Sequence, residues 1–353
     1  MKSVYILSCM LLTVVFISCS SGQKKVMTQR QPIQEELSKL NTLLRDSALA
    51  VNIAAAQDAA YHTALEKTVP AFDADKHTMI KKSIRDEKIA TSIAAFYALE
   101  CGIGALVEQK GNSPVYWLTK IINKQLTPPE ILLLNRFANA TWKAGQPFRS
   151  LSRITRDNFV VAAFLSDEET KKDQDQVTAA AIKLLAALKE VTGRSNDEQF
   201  KKISQLMKDK AFAFEMAMHL EAAYYSAVKQ PVPLFISPGD DTAMTAKNTF
   251  EEKVATSIAG FYALECGLTY FASSQNKLPS QVLQTIIEGS ISKTDKRLLE
   301  RFANATWKAG QPFRNIDRIT RDNFTPFYFL SEEEIEKDWV QITTMAKQLS
   351  KLL

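Results

Sequence analysis

Glycine and proline are scarce, at 11 and 12 residues in a chain of 353, against ~7% and ~5% in average proteins. That scarcity argues against turn-rich β-sandwiches and barrels, against collagen-like chains and against low-complexity disorder. Histidine occurs three times, which leaves little for zinc sites or histidine-based catalysis. No Cys-x-x-Cys-His run for covalent haem and no phosphate-cradling glycine loop is present. Long runs of one charge are missing too: 44 Lys and Arg are interspersed with 39 Asp and Glu, so no nucleic-acid partner is expected. Apolar residues, by contrast, make up 46% of the chain, and the length suffices for two ordinary domains.

What is present is a long internal repeat. EKIATSIAAFYALECG at 87–102 returns as EKVATSIAGFYALECG at 252–267, RFANATWKAGQPFR at 136–149 returns unchanged at 301–314, and RITRDNF at 153–159 returns at 318–324. All three pairs share one offset of 165 residues, and upstream Asp58 to Tyr61 aligns with Glu221 to Tyr224 at an offset of 163. A unit of this length is a domain rather than a solenoid repeat of ~20–50 residues. The expectation is a tandem duplication, with repeat domain 1 at 35–190 and repeat domain 2 at 198–353.

Periodicity makes the fold class all-α. Leu37, Leu40, Leu44, Val51, Ala55 and Leu65 share one face of a long helix, and Ile89, Ile93, Phe96, Tyr97, Ile103 and Val107 form a second stripe. Trp117, Leu118, Ile121 and Ile122 belong to a short third helix. A fourth opens near Pro128 and is expected to stop at Gly145, with Pro147 just beyond. Ser166 to Glu169 reads as a capping box opening a fifth helix, and Ser331 to Glu334 repeats it. Phe159 to Leu165 reads as irregular, because Pro326 stands at the matching place in the second copy. Two bundles of about five helices each are expected.

The N-terminus carries an address. Lys2 precedes an apolar run from Val4 to Ile17, too short for a permanent span of ~20 residues, and Ser18 stands before Cys19. Phe16-Ile17-Ser18-Cys19, followed by Ser20-Ser21-Gly22, resembles a bacterial lipobox. The resemblance covers this segment only, and Phe16 and Ile17 depart from its usual Leu and Ala or Ser. It implies a signal peptide at 1–18 and lipidation of Cys19, with palmitate among the acyl chains; two or three chains anchor stably where one does not. Residues 19–34, with Pro32, read as a flexible tether. Ser20 is not the aspartate that retains lipoproteins in the inner membrane, so the resemblance implies the outer membrane, at its periplasmic face.

The identical blocks hold more polar residues than a core requires, among them Asn139, Lys143, Gln146, Arg149, Arg153, Arg156, Asp157 and Asn158. Three explanations compete. In the first, arginines from Arg136, Arg149, Arg153 and Arg156, and from Arg301, Arg314, Arg318 and Arg321, lock onto acids that interrupt apolar stripes. Those acids are Asp58 and Glu100 in one copy and Glu221 and Glu265 in the other, and a buried carboxylate needs a partner. In the second, the copies meet through a self-complementary patch, which also brings Cys101 near Cys266. In the third, the arginines receive a carboxylate, sulfate or phosphate of an envelope glycan or lipid.

Cys101 and Cys266 sit alike in Ala-Leu-Glu-Cys-Gly. Two separate core thiols are the plainer reading, and a disulfide needs Cα atoms within ~7 Å. Asp46-Ser47-Ala48 and Asp241-Thr242-Ala243 resemble the tripeptide of bacterial periplasmic O-glycosylation, with Ser47 and Thr242 as acceptors. A di-iron site is not expected, since Glu100 and Glu265 lack a histidine three residues on. Neither a metal nor a cofactor is expected. The sequence thus predicts a membrane-anchored helical binding or scaffolding lipoprotein, partnered by its membrane and by an envelope protein or an anionic glycan or lipid. The alternative is an envelope enzyme using the acid pairs Asp58/Glu100 and Glu221/Glu265.

Overall fold

The computed structural model describes residues 20–69, 72, 78–232 and 243–353, the side chains of 20–30 and 227 excepted. The signal segment 1–18, Cys19 and Thr242 lie outside the described residues. The first repeat runs α1 (Ser20–Leu44), α2 (Ser47–Ala64), β1 (Met79–Ser83), α3 (Ile84–Lys110), α4 (Pro114–Ile122), α5 (Pro128–Arg149) and α6 (Asp167–Ala187). The second runs α7 (Asn196–Lys208), α8 (Lys210–Ala227), β2 (Met244–Asn248), α9 (Thr249–Gln275), α10 (Pro279–Glu288), α11 (Lys293–Arg314) and α12 (Glu332–Leu349).

The fold is all-α, with, among the described residues, one two-stranded ribbon that periodicity does not foretell. The single long first helix expected from Leu37 to Leu65 is two helices. Asp46 breaks it by accepting hydrogen bonds from the Ala48 and Leu49 amides as the cap of α2, and Asp209 caps α8 the same way. Helix α6 opens on Ser166 and α12 on Ser331, as the capping boxes imply. Where a flexible tether was expected, α1 already begins at Ser20 and continues through Pro32. Ile33 and Leu37 bury themselves against Ala272 and hold this stretch down.

Helix α5 does not stop at Gly145; it continues through Pro147 to Arg149. Gly145 instead makes room for a ring, since a Cβ there would lie 2.9 Å from Phe313, and a Cβ on Gly310 would lie 2.9 Å from Phe148. Phe137 stacks on Phe302 at 4.1 Å between centroids, and Phe148 on Phe313 at 5.5 Å. Each of these contacts joins matching positions of the two repeats, so α5 and α11 meet about an approximate two-fold axis. The ribbon obeys the same relation: β1 and β2 run antiparallel, with Lys81 opposite Ala246, Met79 opposite Asn248 and Ser83 opposite Met244.

Helices α5 and α11 pack on each other, and each packs on both α3 and α9. Helix α3 is long and apolar enough to cross a membrane, yet every residue from Ile93 to Val107 is buried within the protein. The first hairpin of each repeat then crosses over. Helix α2 packs on α9 and α12 of the second repeat, while α8 packs on α3 and α6 of the first. One hydrophobic core therefore draws on both repeats, from Leu40 and Phe96 to Phe261 and Leu349. The boundary between 190 and 198 is a joint in the sequence but not a gap in the packing.

Candidate functional site

Two kinds of polar site arise from this crossed packing. The first is fully buried. Glu100 on α3 accepts a hydrogen bond from Lys308 on α11 at 2.6 Å, and Glu265 on α9 accepts one from Lys143 on α5 at 2.5 Å. All four side chains have no solvent exposure. The remaining oxygen of each glutamate is met by a backbone amide, from Phe327 at 3.1 Å for Glu100 and from Ala162 at 2.7 Å for Glu265. Both ion pairs link one repeat to the other.

Asn304 and Asp338 extend the Glu100–Lys308 cluster, and Asn139 and Asp173 the Glu265–Lys143 cluster. Burial, and then Glu169, push the Asp173 carboxyl up to about 7, although Lys143, Arg136 and the Asn139 amide pull the other way. Asp338 is raised well above the usual carboxylate range, first by burial and then by Glu300 and Glu334, against Lys308 and Asn304. Cys101 and Cys266 stand beside these clusters as free, buried thiols. Each donates to the glutamate before it in the chain, at 3.2 Å, and burial followed by that carboxylate raises both thiols. The disulfide is not formed.

The second kind of site is open. Helices α3, α5, α6 and α8, with the 3-10 turn Leu151–Thr155, enclose a cavity of about 540 Å³ lined by Arg149, Arg153, Arg156, Trp142, Glu221 and Tyr225 among others. The turn follows α5 directly, so the identical sequence blocks bring the three arginines to one wall. Among the described residues only Arg149 has a carboxylate within 4 Å, Glu87 at 3.8 Å, and Lys247 on β2 already holds that glutamate at 2.5 Å. Arg153 bonds to the Gln146 side-chain oxygen at 3.1 Å. Burial, then Arg149 and Arg156, pull Arg153 down to about 10. Glu221 faces the cavity but accepts from Ser92 at 2.8 Å.

The second repeat builds the same wall. Arg314 lies 3.8 Å from Glu252, which Lys82 on β1 holds at 2.6 Å, and Arg318 bonds to Gln311 at 3.0 Å. Burial and the neighbouring Arg314 and Arg321 again bring Arg318 down to about 10. A smaller hollow of about 290 Å³ lies beneath the ribbon, but it is lined by cations and carboxylates in equal number. The arginine cavity, by contrast, sets Lys88, Arg149, Arg153 and Arg156 against Glu87 and Glu221, an excess of cations.

Several expectations need correcting. The lock exists, but its cation is lysine: Glu100 and Glu265 take Lys308 and Lys143, while Asp58 takes Lys253 at 3.2 Å. Arg149, Arg153 and Arg156 reach neither Glu100 nor Asp58. Nor are Asp58 and Glu100 an acid pair, since each is held by its own lysine. Arg301 is 3% exposed and bonds Glu108 through two nitrogens at 2.7 and 3.0 Å. Arg136 is as deeply placed, but Ser273 stands where the second repeat would need that glutamate. Ser47 is exposed in the first turn of α2. Among the described residues no three His, Cys, Asp or Glu gather as a metal site.

Sequence reasoning missed Asp173 and Glu87. Both carried a signal: each recurs at the 165-residue offset, as Asp338 and Glu252. Compared with known proteins, the chain matches no family model, and no curated protein or solved structure matches it significantly.

Proposed function

We propose that this chain is a lipid-anchored helical binding module of the bacterial cell envelope, held at the outer membrane through Cys19 and taking an anionic group at its arginine wall. The observation that carries the reading is the cavity where Arg149, Arg153 and Arg156 converge with one shared carboxylate near Arg149 and none within 4 Å of the others. Guanidinium forks bind carboxylate, sulfate or phosphate oxygens bidentately. The anchor reading is supported by Lys2, the apolar run to Ile17 and Cys19. A second wall at Arg314, Arg318 and Arg321 suits a partner engaged at two points.

Nothing favours the enzyme alternative comparably, because Glu100 and Glu265 are closed to solvent and saturated by lysine and backbone amide. Native mass spectrometry of the protein extracted gently from its own membrane tests the binding reading. The expected result is a co-purifying adduct that is lost in the Arg153→Ala/Arg318→Ala variant. A lipidated chain with no adduct in either form counts against it.

A further inference from the structure

We propose that the ligand of the arginine cavity beside Trp142 is a phosphorylated sugar, its phosphoryl group on the arginines and its ring against the aromatic wall. This rests on the anion-binding reading above and names the ligand class for the same site.

Charge comes first. Arg153 and Arg156 have no carboxylate partner among the described residues, and Arg149 shares one. The whole lining sets Lys88 and the three arginines against Glu87 and Glu221, so a single carboxylate would leave part of the excess, whereas a phosphomonoester brings roughly −1.5 to −2 and three acceptor oxygens. Size comes second. The cavity measures about 540 Å³, within the ~300–1,000 Å³ typical of sites for ligands with an organic body. A bare phosphate would leave most of it to water.

The walls then choose the body. Asn158, Gln176 and Thr245 line the cavity, and their side chains make no hydrogen bond among the described residues. An acyl chain laid against them would strip these groups of water without replacing it, which is costly. Sugar hydroxyls both donate to and accept from amides and threonine. Trp142, Tyr224 and Tyr225 supply rings with a flat apolar face and a polar edge, which suits a molecule with hydroxyls around its rim and C–H groups on its faces. The cavity thus offers an oxyanion cradle and amphipathic rings within one lining.

The test is calorimetric titration of the full mature protein in detergent. The probes are hexose 1- and 6-phosphates, free glucose, inorganic phosphate, adenosine 5′-monophosphate, and vesicles containing phosphatidic acid. A hexose phosphate should bind about tenfold tighter than inorganic phosphate, with free glucose silent, as expected when a few neutral hydrogen bonds add to a charged anchor. Arg153→Gln should weaken both phosphates, and Gln176→Ala should weaken the hexose phosphate alone. Circular dichroism confirms that each variant is folded.

Equal affinity for inorganic phosphate and every hexose phosphate would remove the sugar and leave the anion site standing. Tighter binding of the nucleotide or of the vesicles would replace the sugar by that class. Silence from all the probes would overturn this inference, and the binding reading falls separately if the native adduct is also absent.

Discussion

Glu100 and Lys308 stand 208 residues apart in the chain and meet at 2.6 Å without solvent exposure, so the first repeat supplies the anion and the second the cation. Glu265 and Lys143 make the reverse exchange. Taking either lysine away leaves a carboxylate buried with one backbone amide and a weak thiol donor. Lys308→Met should therefore cost about 3–5 kcal/mol of unfolding free energy, measured by urea titration. Replacing the pair together, Glu100→Leu with Lys308→Met, should return much of that loss. A double variant no more stable than the single one would show that the lysine acts through something other than this pair.

Asp173 should set a pH dependence. Its folded carboxyl is raised to about 7, against about 3.9 in an unfolded chain. Between those values the folded state holds the proton more tightly, so the contribution to stability is full below about pH 4 and is lost as pH rises through 7. Asp338, also raised, acts in the same direction. Warming scans should give a Tm that climbs as the buffer is taken from pH 8 to pH 5. The Asp173→Asn/Asp338→Asn variant should flatten that climb, and an unchanged slope would assign it to other groups.

Gly145 should tolerate no side chain. Its added Cβ would meet the Phe313 ring at 2.9 Å, and overpacking of this kind costs about 1–3 kcal/mol. Gly145→Ala should lower the melting temperature by several degrees, and Phe313→Leu in the same chain should restore part of it. If the alanine variant melts with the parent, the two rings are free to part.

The arginine wall should behave oppositely to the buried pairs. Arg153 is brought down to about 10 by burial and by its neighbours Arg149 and Arg156, so removing it relieves repulsion as well as losing a bond to Gln146. Arg153→Ala should leave the melting temperature within about 2 °C of the parent, the span of an ordinary surface change of ±0.5 kcal/mol. A fall of many degrees would make Arg153 a structural residue.

Cys101 and Cys266 should be silent to thiol reagents in the native protein. Both are buried, and burial keeps them as protonated thiols. Intact mass after alkylation should show neither modified before urea and both modified after it, without reductant. Labelling that needs reductant would mean a bridge.

Much of the fold was written in the chain's periodicity. The stripes of Ile93, Phe96 and Val107 and the caps at Ser166 and Ser331 give helices close to those observed. Periodicity tells which face is buried but not what buries it, so the crossing of α2 and α8 was invisible. Gly145 misled for a related reason: glycine ends helices and also lets helices approach, and only the facing Phe313 distinguishes the two. The acids were found by their interruption of apolar stripes. Their lysines were not, because Lys143 and Lys308 pair across the axis rather than along one helix. The arginines were noticed through identity between the repeats, and the identical blocks supply a lysine lock, a contact of matching rings across the axis and an open arginine wall.

The exchanged hairpins have a consequence for how this chain comes to be. Helix α2 finds most of its seat on α9 and α12, and the core of the first half is finished only when α8 arrives. The earlier half must then wait, incomplete, while the later half is made and threaded beside it. Two half-length chains making these contacts would have to trade the hairpins between molecules; joined end to end, the exchange becomes a clasp within one chain.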